Sequence, residues 1–260
     1  MRTERTGAVT TVTIDRPDAF NALNAEVIEA IATAVRDAAA QPSVRAVVIT
    51  GSGQKAFSAG ADLKELDGLG PDDAHAVLDR GQRVFRAIEQ APVPVIAAVN
   101  GLALGGGFEL ILATTFPVLS TKAALGLPES GLGLIPGYGG TQRLPRAVGD
   151  RVAAHLMLTG ARLDAPRAYE LGLTPVPPVE PDELLPTAVA IAEKIAAQGP
   201  MAVRAILGAV ESGRDATLDA GLGIETGLAA LAVAGEESTE GVAAFLERRP
   251  AKFADPEAGR

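Results

Sequence analysis

The stretch AVNGLALGGGFEL, residues 98–110, ends an apolar run with three glycines, Gly105, Gly106 and Gly107, followed after one residue by a single acid, Glu109. Glycines remove every Cβ from the point where a strand is expected to give way to a helix, so backbone N–H groups there can approach a ligand closely. The first N–H groups of a helix have no intrahelical partner and carry the positive end of its dipole. A second stretch, SAGAD at 58–62, also sets small residues at an expected helix start. Two such amides converging on one atom would form an oxyanion hole. Taken singly, each stretch reads first as close helix–strand packing, with Glu109 complementing the dipole of its own helix.

Two other glycine-bearing stretches compete for a chemical reading. GSGQKA at 51–56 has the form of the G-x-G-x-x-G/A dinucleotide fingerprint. The next residues, FSAGADLKEL, delay the helix to about Asp62, and no strand ending in an acid follows some 20 residues on to take a ribose. GLGLIPGYGG at 131–140 has Pro136 where a third glycine belongs, and no stretch carries the Lys-Ser/Thr of a phosphate loop.

The elements that must position these residues alternate along the chain. AVTTVTID (8–15) alternates at period 2 and predicts a strand ended by Arg16 and Pro17, and Asn24 is placed to cap a helix over AEVIEAIATAVRDAAA. VRAVVITG (44–51) and VPVIAAVNG (93–101) are almost continuously apolar, which predicts strands covered on both faces. Between them, KELDGLGPDDAHAVLDR begins helical, breaks at Gly68 to Pro71 and resumes, as a lid or a plain connection would. Asp164 and Pro166 mark another helix start, and from about residue 181 the pattern is helical, with breaks near Gly199-Pro200 and Gly213. The expectation is a repetitive α/β core followed by a helical C-terminal part.

Composition narrows the class. With 260 residues, 47% of them hydrophobic and 21% charged, the chain can bury a large core. A net charge of −9 argues against a nucleic-acid partner, whose surface calls for a basic stripe. The absence of cysteine excludes disulfides, a thiol nucleophile and Cys-ligated metal, and the two histidines, His75 and His155, have no metal-ligand spacing. His75 is expected to be exposed and His155 to pack in a helix. No apolar secretory segment follows the first residues, and no uninterrupted apolar run reaches the roughly 20 residues needed to span a bilayer. A cytoplasmic protein without a membrane partner is the expectation.

Five segments, KAFSAGADLKEL, PVIAAVNGLALGGGFEL, LGLPESGLGLIPGYGGTQRLPRAVG, LTGARLDAPRAYELGL and EGVAAFLERRPAKF, together resemble the enoyl-CoA hydratase/isomerase family, or crotonase superfamily, in family order from about residue 8 to 253. The resemblance implies an α/β fold of the ClpP/crotonase kind, a spiral of ββα units over residues 1–195. It also implies a helical region over 196–260 used in trimer contacts, commonly within a dimer of trimers. The implied ligand is a coenzyme A thioester, with no redox or metal cofactor, and its carbonyl is held by the amides of Ala61 and Gly106. Glu109 matches the family's first catalytic glutamate and Glu129, in GLPES, the second; by itself Glu129 reads as a turn carboxylate after Pro128. The implied reaction is reversible syn addition of water across C2=C3 of a 2-enoyl-CoA to give a 3-hydroxyacyl-CoA, in fatty-acid or related acyl-CoA degradation. Glu109 would chiefly activate water and Glu129 deliver the proton to C2. Gly137 matches the glycine whose helix start polarises the thioester. Ala22, Leu23, Ser58, Ala59, Ala61, Asp62, Leu63, Lys64 and Gly106 match positions that contact coenzyme A or the wall beside it.

Two departures bear on acyl preference: Thr115 stands where these hydratases usually carry aspartate, and residues 172–180, GLTPVPPVE, are proline-heavy. Other chemistries share the scaffold, including Δ3-Δ2 isomerisation and other acyl-CoA lyase or dehydratase reactions. Some relatives only bind, taking a thioester or RNA.

Overall fold

The computed structural model describes residues 1–256. Its strands build two sheets in step. The larger has the order β1 (Arg2–Thr6), β2 (Val9–Ile14), β3 (Ala46–Gly51), β5 (Val95–Val99), β7 (Phe116–Leu119). The smaller has the order β4 (Ala56–Ser58), β6 (Leu102–Leu104), β8 (Ala124–Gly126), β9 (Leu163–Asp164). All pairs are parallel except β1–β2 and β8–β9. Parallel neighbours need a crossover. Here the chain places β3, β5 and β7 in the first sheet, follows each with β4, β6 or β8 in the second, and returns through helices including α2 (Pro71–Glu89) and α3 (Gly106–Leu112). That is the expected spiral of ββα units.

The apolar runs sort by parity. Val47 and Ile49 of β3, with Ala97 and Val99 of β5, face the main core, which α1 (Ala25–Ala39) closes with Ile28, Ile31 and Val35. Ala46, Val48, Ile96 and Ala98 point the other way, onto Leu184, Ala188 and Ala192 of α7 (Pro181–Ala196). Both faces are covered, as the sequence predicts. Asn24 caps α1 through a bond from the Val27 amide at 2.9 Å. Asp164 does the same for α6 (Ala165–Glu170) at the Arg167 amide, also 2.9 Å.

α4 (Gly140–Val148) and α5 (Asp150–Thr159) follow the third turn of the spiral. After α7 come α8 (Pro200–Gly213), α9 (Leu218–Ala234) and α10 (Glu236–Glu247), with a further break at Gly235. α8 and α9 bury no residue and α10 buries only Ala244. No single helix among the described residues is long and apolar enough to cross a membrane.

GSGQKA leads from β3 directly into β4 with no helix, so the dinucleotide geometry is absent there. Both departures serve the sheet edge. Thr115 exchanges bonds with Val95, its amide donating to the Val95 carbonyl at 2.8 Å and its Oγ1 accepting the Val95 amide at 3.0 Å. In the proline-heavy segment Thr174 donates to the Pro117 carbonyl at 2.9 Å, and Val179 pairs with Ser120.

Candidate active site

The three glycines answer to three different neighbours. Gly105 has φ +49, left-handed backbone that favours glycine, and a Cβ on it would stand 2.9 Å from Glu129 Oε1. Gly106 opens α3 and lies against the Tyr138 ring, 3.2 Å from a Cβ built there. Gly107 is pressed against the Ser58 backbone. The start of α3 is therefore stripped of side chains on every side that matters.

The Ala61 amide arrives beside it. Leu23 makes both bonds of the parallel bridge to this segment, donating to the Gly60 carbonyl at 2.8 Å and accepting the Asp62 amide at 2.9 Å. Such a bridge turns the N–H of the middle residue, Ala61, away from its partner strand. A Cβ on Gly60 would lie 3.3 Å from Gly106 N, and one on Gly106 would lie 3.4 Å from Ala61 N. Among the described residues neither amide donates to a protein acceptor. After Ala61 the chain makes only a short 3-10 turn, Leu63–Glu65, capped by Asp62, in place of the expected helix. No long helix dipole therefore stands behind this amide, which has only its own N–H to offer a ligand.

Glu109 is one turn into α3 and only 2% exposed. Its Oε1 accepts the Tyr138 amide at 2.8 Å and the Gly140 amide at 2.7 Å. The left-handed Gly139 between them, φ +110, lets both N–H groups point at one oxygen. No hydrogen bond among the described residues goes to Oε2. Burial pushes the Glu109 carboxyl up to about 7, and the Glu129 charge adds to the rise; the Gly140 and Tyr138 amides and the Arg143 charge oppose it. Glu129 opens the 3-10 turn Glu129–Leu132, and burial raises its carboxyl as well. Its Oε2 is buried without a partner among the described residues. Buried polar atoms are normally satisfied, so an orphaned carboxylate oxygen beside a second carboxylate marks the place of a polar ligand.

The remaining expected contacts divide. Lys64 and Leu63 are exposed and Ala22, Ala59 and Asp62 half-buried, all able to border a ligand. Leu23 and Ser58 are 1% and 0% exposed, the first with its side chain in the main core and the second with its hydroxyl on the Gly60 amide at 3.2 Å. Gly137 precedes α4; its carbonyl accepts Gln82 Nε2 at 2.9 Å, and Leu78 occupies the space a Cβ would need. The first amide of α4, Gly140 N, and that of Tyr138 just before it are turned onto Glu109. His75 is exposed as expected, whereas His155, although in α5, is exposed too.

Sequence reading passed over Tyr138 and Gly140 as the holders of Glu109, and Asn21, which is 1% exposed. Asn21 Nδ2 donates to the Ser52 and Ala56 carbonyls at 3.1 and 2.8 Å, fixing the turn before Leu23. The only signal for the first two was the glycine density of GYGG, and for Asn21 there was none beyond its type.

Two unsatisfied amides lie near the buried Glu109 and the half-buried Glu129, each acid with an oxygen to spare, an arrangement with the chemistry to take a polarised carbonyl and a water. The sequence profile described as Enoyl-CoA hydratase/isomerase matches residues 4–256. The chain belongs to that family. It is 43% identical over 240 residues to a protein of Syntrophomonas wolfei named crotonyl-CoA hydratase, covering 92% of each. It is 39% identical to the short-chain-enoyl-CoA hydratase of Clostridium acetobutylicum, covering 95% of this chain and 94% of that one. The crystal structure of an enoyl-CoA hydratase from Bacillus anthracis superposes with a TM-score of 0.93 at 38% identity, over 98% of this chain and 99% of the other.

Proposed function

We propose that this chain is a 2-enoyl-CoA hydratase, a hydro-lyase that adds water reversibly across C2=C3 of a coenzyme A thioester. The observation that carries the reading is the pair of acids, buried Glu109 and half-buried Glu129, each with an unbonded carboxylate oxygen near two unsatisfied amides. An amide pair alone would serve any enolate chemistry on this scaffold. Hydration needs in addition one group to take a proton from water and another to give one to carbon.

The thioester carbonyl sits on Ala61 N and Gly106 N, and one water lies between the free oxygens of Glu109 and Glu129. Glu109 takes a proton as the water oxygen bonds to C3, the C2=C3 pair moves toward C1, and the charge gathering on the thioester oxygen meets the two amides. Such preorganised donors are each worth about 10²–10³ in rate. Glu129 then gives its proton to C2, which completes the 3-hydroxyacyl thioester. In reverse the two acids exchange roles. Burial raises both carboxyls, that of Glu109 to about 7, which suits a pair that shares a proton. Coenzyme A is the handle of the substrate and supplies no redox chemistry. Ala22, Ala59, Asp62, Leu63 and Lys64 border its path, and Leu23 and Ser58 act through backbone geometry.

The proposed assembly is a trimer or a dimer of trimers through residues 196–260, supported by the apolar surface of α8 to α10. The deciding experiment follows the conjugated enoyl-thioester absorbance of a short 2-enoyl-CoA with purified chain, beside a positional isomerisation assay on the 3-enoyl isomer. Loss of the conjugated band with formation of 3-hydroxyacyl-CoA is expected. Isomerisation without hydration would overturn the reading.

A further inference from the structure

A charge cluster centred on the largely covered Glu89 carboxylate stands directly behind the turn that holds Glu109. Arg143 of α4, only 14% exposed at its side chain, donates from Nη1 to the Tyr138 carbonyl at 2.9 Å. From Nη2 it donates to Glu89 Oε2 at 3.0 Å, and its Nε reaches Oε1 of the same carboxylate at 3.4 Å. Glu89, at the end of α2 and 8% exposed, also receives Arg86 at 2.9 Å and Arg214, beyond the end of α8, at 2.8 Å. Arg86 pairs in addition with Glu211. The same residue whose carbonyl Arg143 grips presents its amide to Glu109 Oε1. Gly139, next in sequence, has no room for a Cβ because the Arg143 guanidinium is there.

We propose that Arg143, braced by Glu89, is a positioning residue that fixes the 138–140 turn and so holds the Glu109 carboxylate in the orientation that presents Oε2 to water. The inference rests on the hydratase reading for its consequence in turnover, and on the geometry alone for its consequence at Glu109. A planar guanidinium spreads five donors in a fixed fork that spans a carbonyl and a carboxylate, whereas the three donors of a lysine radiate from one nitrogen and do not keep that spacing. Three arginines around one carboxylate leave Glu89 ionised far into acid, its carboxyl brought down to about 2 by Arg143, Arg86 and Arg214 against the opposing effect of burial. The brace is therefore intact throughout the range in which Glu109 titrates. The charged groups facing Glu109 are Glu129 and Arg143; Tyr138, against it, faces Glu65 as well. Removing Arg143 takes away a positive charge and loosens two amides, and all three favour the ionised carboxylate.

The test uses the full chain carrying Arg143→Gln, Arg143→Lys or Glu89→Gln. For Arg143→Gln, kcat for hydration is expected to fall about 10- to 100-fold, the scale of a misplaced reacting group, with KM within about twofold. The acid limb of kcat/KM is expected to move to higher pH. Arg143→Lys should restore most of the limb position, which needs the charge, but little of kcat, which needs the fork. Glu89→Gln should lower kcat in the same direction as Arg143→Gln and more weakly, but without raising the acid limb, because it removes a negative charge and leaves the arginines unneutralised. Carboxyl ¹³C NMR of the labelled chain, with Glu109→Gln supplying the assignment, reads the Glu109 titration without turnover; its midpoint should rise in Arg143→Gln. A wild-type chain that titrates Glu109 but hydrates nothing would sink the functional reading and leave the positioning inference to the NMR result. In Arg143→Gln, an unmoved Glu109 titration and acid limb, with only the melting temperature lowered, would overturn the proposal. If Arg143→Gln does not fold, Arg143→Lys and Glu89→Gln decide through kcat, and wild-type kcat in both would overturn it.

Discussion

Ser58 and Gly107 touch backbone to backbone: the Ser58 carbonyl occupies the place a Cβ on Gly107 would need. Ser58 ends β4, three residues before the Ala61 amide, and Gly107 follows the Gly106 amide on α3, so this contact sets the separation of the two donors. Gly107→Ala must push the two segments apart. Overpacking of this kind costs about 1–3 kcal/mol, and the displacement should lower turnover by more than it lowers stability. Urea unfolding and kcat/KM on the same preparation check this; a variant with wild-type turnover would show that the donors are not set by this contact.

The spiral was legible in sequence where both faces of a strand are buried: Val47 and Ile49 face one core and Val48 the other, leaving no polar position to blur the run. β1 was missed because RTERT is exposed along its whole length and so carries no apolar alternation. The second sheet was missed because its strands are two or three residues long, too short for any period to show. At the site, type and local context singled out the Gly105–Gly107 run and SAGAD, whereas Glu129 stood out only through resemblance. The hold of Tyr138 and Gly140 on Glu109 spans about 30 residues of chain and leaves no local trace, because it uses backbone groups that every residue has.

Glu109 trades stability for chemistry. Its folded carboxyl, pushed by burial up to about 7, lies above the 4.5 of a free glutamate, so between those values the folded chain binds more protons. Stability from this group is therefore full below pH 4.5 and is lost as pH rises through 7. Glu109→Gln keeps an acceptor for both amides and never ionises. It should exceed wild type in unfolding free energy at about pH 8, by no more than about 3 kcal/mol, with the gain vanishing toward pH 4.5. Paired denaturation curves across that range are the measurement, and a variant less stable than wild type at alkaline pH would refute it.

The outer helices expose large apolar side chains that a lone chain leaves in water: Leu231 at 72% on α9, Phe245 at 82% and Leu246 at 74% on α10, and Ile206 and Val210 on α8. Exposed apolar patches are typical of contact surfaces, and the proposed assembly would cover this one with another subunit. A trimer or hexamer mass is expected by light scattering at micromolar concentration, and Phe245→Glu with Leu246→Glu should shift it toward monomer. A wild-type monomer would reject the assembly.

If Glu109 and Glu129 share one water and one proton, each single Gln variant should lose about 10²–10⁴ in turnover, the range for a general acid or base. Thioester affinity should change little, because the Ala61 and Gly106 amides are untouched and ground-state binding does not depend on the acids. The double variant should lose much less than the product of the single losses, since residues acting as a unit are not additive. The kinetic cycle on a short 2-enoyl-CoA separates this from a mechanism with one working acid. There, Glu109→Gln would leave turnover intact while Glu129→Gln abolished it, and the orphaned Oε2 of Glu129 would be the base of an isomerase with no partner acid at Glu109.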